Sequence, residues 1–242
     1  MMDEAKTSTI YDVWSRIYDR TLGPLLIKRQ GRAIAEFSLK PGDRVLDLGI
    51  GTGITLEHYG PEIEIVGLDL SAGMLREARK KVAQRKMEHV TLVQGDALNP
   101  PFAPRSFDHV LITHVVSVVS DPPKLMQRAA ELVRPGGKVV IVNHFQSEKP
   151  IAAAIAKLVS PLCVHLGWRS DLSLKDVLEG CPLTLEGSYK LSGLDLWRIV
   201  VLKSDPPAKP HDPAEAASPN ASPLPPEPAI TTNVGDTHVP AN

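Results

Sequence analysis

The chain has 242 residues, is 43% hydrophobic and carries a formal net charge of -1, which suits one α/β domain with a sizeable buried core. So balanced a charge argues against a nucleic-acid binder that relies on bulk positive charge and leaves only a local basic patch for any polyanionic partner. The longest apolar runs fall well short of the roughly 20 residues of a membrane-spanning helix, and two cysteines, Cys163 and Cys181, in a chain opening MMDEAKTS, fit a reduced cytoplasmic protein that buries both thiols as small hydrophobes.

Residues 1–40 read as a helical cap. On a helix, Tyr11, Trp14 and Tyr18 share one face; after the Gly23-Pro24 break come Leu25, Leu26 and Ile27, then Lys28, Arg29 and Arg32. Aromatics and leucines beside a basic rim suit a helix lying on an anionic bilayer, at about 1 kcal/mol per basic residue near the surface. The same pattern also describes an ordinary helix packed on a sheet.

Over 41–203 short apolar runs alternate with helical patterns. RVLDLG (44–49), EIVGLDL (64–70), VTLVQGD (90–96), FDHVLITH (107–114) and KVVIVNH (138–144) predict strands, whereas LREARKKVAQRK (75–86) and PKLMQRAAELV (123–133) predict amphipathic helices, the second stopped by a turn at RPGG. Such alternation means a parallel sheet with helices on both faces. PLTLEGSYKLSGLDLWRIVVLK (182–203) reads as a terminal hairpin closing one sheet edge. From Ser204 the composition shifts to Pro, Ala and Ser without apolar periodicity, so 204–242 is expected to be a disordered tail.

In VLDLGIGTG the first strand gives way to Gly49, Gly51 and Gly53 before an expected helix. Glycines at that point let the backbone turn sharply and touch a ligand, but their GxGxG spacing departs from the GxGxxG dinucleotide fingerprint. Asp47 lies inside the first strand, Asp69 ends the second, where a carboxylate can accept two ribose hydroxyls, and Asp96 in Gly95-Asp96-Ala97 closes the third, suited to an adenine amine. Each acid alone could be a strand-end turn residue. The ordered set points to an adenosine-bearing cofactor.

VLDLGIGTG, GLDLS, GDA and RPGGKVVI together resemble the successive motifs of the class I S-adenosylmethionine-dependent methyltransferases. The resemblance implies a Rossmann-like seven-stranded sheet with an antiparallel last strand, and S-adenosyl-L-methionine as cofactor. It places Asp47 and the three glycines around the methionine moiety, Asp69 on the ribose, Met74 against the adenine and Asp96 on its amine, with Leu70, Ala97 and Thr113 completing the cofactor set.

The methyl acceptor is read from the segments after the fourth and fifth strands and from the cap. No Cys/His/Asp cluster with ligand spacing is present, which argues against a metal-dependent O-methyltransferase. YDVWSRIYD, VVSVVSDP, VNHF and LGWRSDL extend the likeness over about 10–203, to bacterial phospholipid N-methyltransferases acting on phosphatidylethanolamine. Ornithine-lipid N-methyltransferases share this architecture, and quinone C-methyltransferases share YDxWSxxYD and the cofactor motifs. A surface-binding module that has kept its cofactor pocket is the non-enzymatic alternative. The implied partner is a lipid at the anionic inner face of the cell membrane, with no nucleic acid or obligate protein partner called for.

An amine acceptor must be neutral to attack, and with a lysine-like pKa of about 10.4 only about one headgroup in 10³ is so at pH 7. A proton acceptor is therefore expected. The candidates are His144, ending the fifth strand, and Tyr18; His114, after the fourth strand, reads as a support of the cofactor pocket. Tyr11 and Trp14 could hold a methylated cation by cation–π attraction, and Arg169 in LGWRSDL is the first choice for a lipid anion, ahead of Lys190 and Arg198.

Overall fold

A computed structural model describes residues 23–146, 172–192, 195 and 197–205. The cap residues Tyr11, Trp14 and Tyr18, the Arg169 loop with Cys163, and nearly all of 204–242 lie outside them. Helix α1 spans Gly23–Ala35 and is followed by β1 (Arg44–Leu48), a 3₁₀ turn (Ile54–His58), β2 (Glu64–Asp69), α2 (Ala72–Arg85) and β3 (Val90–Gln94). Then come β4 (Phe107–Thr113), α3 (Pro122–Leu132), β5 (Val133–His144), the single-turn α4 (Leu174–Val177), β6 (Thr184–Tyr189) and β7 (Trp197–Lys203).

The seven strands form one sheet in the order β3-β2-β1-β4-β5-β7-β6. All pairs from β3 to β5 are parallel, while β7 runs antiparallel between β5 and β6, so the expected terminal hairpin does close one edge. Strand residues divide between two cores by strict alternation. Leu46, Leu48, Val66, Leu68, Val110, Ile112, Val139 and Ile141 pack on one face with Leu125, Met126, Ala129 and Leu132 of α3. Val45, Ile65, Leu111, Val140, Val142, Ile199 and Val201 pack on the other with Ala33 and Ile34 of α1 and Leu75 of α2. Each buried large aliphatic contributes about 1.5–3 kcal/mol, which fixes the register, because a one-residue slip would exchange the two faces.

Local signals set the helix starts. Ser71 Oγ accepts the Met74 N–H to cap α2, and Asp121 accepts the Lys124 N–H to cap α3, with Pro122 at its first turn. Two expectations need correction. The glycine loop leads into a five-residue 3₁₀ turn in place of a full helix. RPGG is no simple turn between helix and strand, since β5 already begins at Val133 and the β4 register jumps from Phe107↔Val133 to His109↔Lys138, making RPGG a bulge. Gly137 is required there because a Cβ would lie 2.2 Å from the Asp108 carbonyl oxygen.

Helix α1 packs on the sheet. Gln30, Ala33 and Ile34 are buried, and Arg29 and Arg32 are engaged with Asp195 and Glu36. Of the basic residues expected to rim a membrane face, Lys28 and Arg32 are exposed and Arg29 is half-buried.

Candidate active site

The strand order reverses between β1 and β4, and in open α/β sheets ligands bind above the carboxyl ends of the strands at such a point. A cleft opens there, walled by Gly49–Thr52 after β1, Leu68–Ser71 at the end of β2, Gly95–Ala97 after β3, Thr113–Val115 with Val118 and Val119 after β4, Met74 of α2 and Gln30 of α1. Gly49, Gly51, Asp69, Leu70, Met74, Asp96, Ala97 and Thr113 all line it as the motifs lead one to expect.

The glycines serve different ends. Gly49 (φ +87) lets the loop lie against the segment after β4, since a Cβ would fall 2.0 Å from Val115 Cγ2. Gly51 (φ +58) has nothing within 4 Å of a modest added Cβ, leaving its backbone open to the cleft. Gly53 is not a lining residue; it heads the 3₁₀ turn, where a Cβ would meet Leu56 Cδ1 at 2.8 Å.

Asp69 fixes the loop to β2. Its carboxylate accepts the Gly51 N–H at 2.8 Å and the Ser71 N–H at 2.9 Å, so glycine loop and α2 start are held by one side chain. Asp96 accepts the Leu98 N–H and the Asn99 side-chain amide, both at 2.8 Å, which orients its carboxylate at the cleft wall. Asp47 is fully buried behind the loop and outside the lining. Its Oδ2 accepts the Thr55 hydroxyl at 2.5 Å, while Oδ1 has no partner. Burial first, and then the Asp69 charge, raise its pKa to about 7, against the lowering effect of Thr55.

On the other side of the cleft, the segment after β4 is tied to β5 by Asn143, which accepts the Ser117 hydroxyl at 3.3 Å and donates to the His144 carbonyl at 2.9 Å. His114 occupies left-handed backbone (φ 62), donates its N–H to the Val142 carbonyl, and sets its ring edge-on to Trp197, with centroids 6.1 Å apart. Burial, then the charges of His144 and Arg29, lower its pKa to about 4, so the ring is neutral at pH 7. Its Nε2 is buried without a partner. Arg29 lies over the Trp197 ring at 4.5 Å and pairs with Asp195 through Nε at 3.0 Å and a terminal nitrogen at 2.8 Å.

His144 pairs with Trp197 across β5 and β7 and stands outside the cleft lining. Sequence reasoning missed Gln30, whose side chain lines the cleft with Oε1 buried and without a partner; a single glutamine among basic helix residues gives no signal. It also missed Val118 and Val119, although both lie within the VVSVVSDP segment that it quoted.

Among the described residues no cluster of His, Cys, Asp and Glu could hold a metal ion, and no helix is long and apolar enough to cross a membrane. S-adenosylmethionine fits the residues present: an open glycine backbone for a close approach, carboxylates ending β2 and β3 for ribose and adenine, Met74 and Leu70 for the adenine faces, and the unpartnered Gln30 Oε1.

A family model described as "Methyltransferase domain" matches residues 46–141. The chain is 37% identical over 197 residues to the phosphatidylethanolamine N-methyltransferase of Cereibacter sphaeroides, covering 78% of this chain and 96% of that one. It is 33% identical to the demethylmenaquinone methyltransferase of Anoxybacillus flavithermus over 60% of this chain and 66% of that one. In fold it resembles phosphoethanolamine N-methyltransferase 2 of Haemonchus contortus in complex with S-adenosyl-L-methionine, with a TM-score of 0.61 at 19% identity over 74% of this chain and 52% of that one. With its strand order, its strand-end carboxylates and a relative matched over almost the whole of that relative's length, the chain belongs to the class I S-adenosylmethionine-dependent methyltransferases and resembles phosphatidylethanolamine N-methyltransferases.

Proposed function

We propose that this methyltransferase N-methylates the amine of a membrane lipid headgroup, phosphatidylethanolamine toward phosphatidylcholine. The observation that carries this reading is the near full-length likeness to the Cereibacter sphaeroides phosphatidylethanolamine N-methyltransferase. When bound, S-adenosylmethionine supplies a methyl group on a sulfonium, open to in-line attack. The chain's part is to hold the cofactor through Asp69, Asp96 and the Gly51 backbone, to exclude water with Val115, Val118 and Val119, and to present the amine with its lone pair free. In this reading His144 takes up the amine's proton, Tyr18 accepts a hydrogen bond from the ammonium through its phenol oxygen, Tyr11 and Trp14 stabilise the methylated cation, Arg169 meets the lipid anion, and the enzyme works at the inner face of the membrane.

A second reading, C-methylation of a quinone precursor, is favoured by the likeness to demethylmenaquinone methyltransferases, which covers less of this chain. Incubating the purified protein and S-adenosylmethionine with liposomes containing phosphatidylethanolamine, ornithine lipid and a demethyl quinone precursor separates the cases. Stepwise methyl additions to phosphatidylethanolamine are expected. Additions confined to ornithine lipid keep the amine chemistry and reassign the headgroup, and additions confined to the quinone precursor refute N-methylation.

A further inference from the structure

Two polar groups in the cleft are buried with no hydrogen-bond partner: Gln30 Oε1, on a residue 4% exposed, and His114 Nε2. They come from different elements, α1 and the end of β4, yet both residues line the same cleft. Leaving a buried polar group unsatisfied is costly, so native structures usually pair such groups with something. The carboxylates of the same wall do have partners, Asp69 two backbone N–H groups and Asp96 the Leu98 N–H and the Asn99 amide, and keep further lone pairs for ligand hydroxyl or amino groups.

The chemistry of the two groups restricts what can satisfy them. An amide oxygen accepts only, so its partner must be an N–H or O–H donor. The neutral His114 ring keeps one nitrogen with a free lone pair, since burial, His144 and Arg29 hold its pKa at about 4. Arg29, the neighbour of Gln30, would repel a cation, but Asp195 binds it through two nitrogens and offsets its charge.

We infer that His114, in the tautomer that carries its proton on Nδ1 and leaves Nε2 as the lone-pair nitrogen, forms with Gln30 a two-point acceptor subsite for an N–H group held in the cleft, either the ammonium of the cofactor's amino-acid end or the amine of the methyl acceptor. The cofactor alternative rests on family membership alone, and the acceptor alternative rests also on the proposed lipid reaction. In either case Gln30 is a binding residue that no sequence motif marks, and His114 touches the ligand directly as well as supporting the pocket.

The test compares the full-length parent with Gln30→Met and His114→Phe, near-isosteric changes that remove the acceptor. Three quantities are read: melting temperature without ligand, calorimetric Kd for S-adenosylmethionine, and KM for phosphatidylethanolamine in liposomes. Replacing an orphaned polar atom by an apolar one should leave the melting temperature unchanged or raised. A Kd for S-adenosylmethionine weakened by roughly tenfold or more assigns the subsite to the cofactor ammonium, the size expected for losing a hydrogen bond to a charged group. The parent should then also bind a deaminated cofactor analogue at least roughly tenfold more weakly, and the variants should not discriminate. A Kd unchanged with KM raised to a similar extent assigns the subsite to the acceptor amine. If the parent methylates no lipid, the lipid reading fails and the cofactor Kd alone decides. Variants that keep both Kd and KM within about twofold of the parent overturn the inference. Failure of both to fold also overturns it, by showing that the two groups are structural.

Discussion

Replacing Asp47 by Asn should stabilise the ligand-free protein at high pH while weakening cofactor binding. Asp47 is fully buried, one oxygen is held by Thr55 and the other has no partner, and its pKa rises from 3.8 to about 7. An acid whose folded pKa lies above its unfolded value binds more protons when folded, so stability is lost as pH rises between those two values. The gap of roughly three tenfold steps corresponds to at most about 4 kcal/mol. Asn keeps an acceptor for Thr55 and carries no charge to bury, at a cost of about 1 kcal/mol for an unpaired amide. Urea unfolding of parent and variant at pH 4 and pH 8 isolates the effect, because contributions of other groups cancel in the difference. The variant's advantage should grow by about 2–4 kcal/mol from pH 4 to pH 8. A difference that stays flat within about 1 kcal/mol over that range would refute an ionisable, uncompensated Asp47. Binding of a cationic sulfonium should favour the ionised carboxylate, so parent affinity should tighten between pH 6 and pH 8 with proton release in calorimetry, and the variant should show neither.

Gly49→Ala forces a Cβ to 2.0 Å from Val115 Cγ2 at φ +87 and should cost about 3 kcal/mol or more by denaturant melts. Gly51→Ala meets open space; it should cost about 1 kcal/mol of stability yet weaken calorimetric cofactor affinity at least about tenfold. Arg29→Ala removes the pair with Asp195, whose side chains are 16% and 3% exposed, and the Trp197 contact, for a loss of about 2–3 kcal/mol in urea unfolding; Lys should restore less than half of it. His114, with a pKa lowered to about 4, should stay neutral by NMR at pH 6, and its contribution to stability, present in full above its ordinary pKa of 6.5, should fade as pH falls toward 4.

The central parallel strands β1, β2, β4 and β5 were legible because they are buried and must be short apolar runs, and Asp69 and Asp96 were legible because they lie at or just past the end of such a run. RVLDLG and GLDL therefore gave both the sheet and Asp69. The 3₁₀ turn at Ile54–His58 reads from sequence as a helix start, although Gly60-Pro61 follows two residues later and leaves room for little more than one turn. RPGG carried a turn signal that the β4 pairing absorbed as a bulge. Gln30 escaped, and His114 reads from sequence only as a support of the pocket, because an isolated polar residue acquires its full meaning from the wall it joins. The expected roles of Tyr11, Trp14, Tyr18 and Arg169 fall outside the described residues. The basic residues after Gly23-Pro24 illustrate a further limit: Arg29 and Arg32 are bound to partners distant in sequence or on the next turn, Asp195 and Glu36.

The reaction itself is tested most directly by supplying S-adenosylmethionine bearing a deuterated methyl group to the purified protein with phosphatidylethanolamine liposomes, and locating the label by tandem mass spectrometry. The label should appear on the headgroup fragment, in one to three successive additions, and Asp69→Asn should slow its incorporation. Tight cofactor binding with no label on the headgroup amine, at liposome concentrations that saturate the protein, would contradict lipid N-methylation.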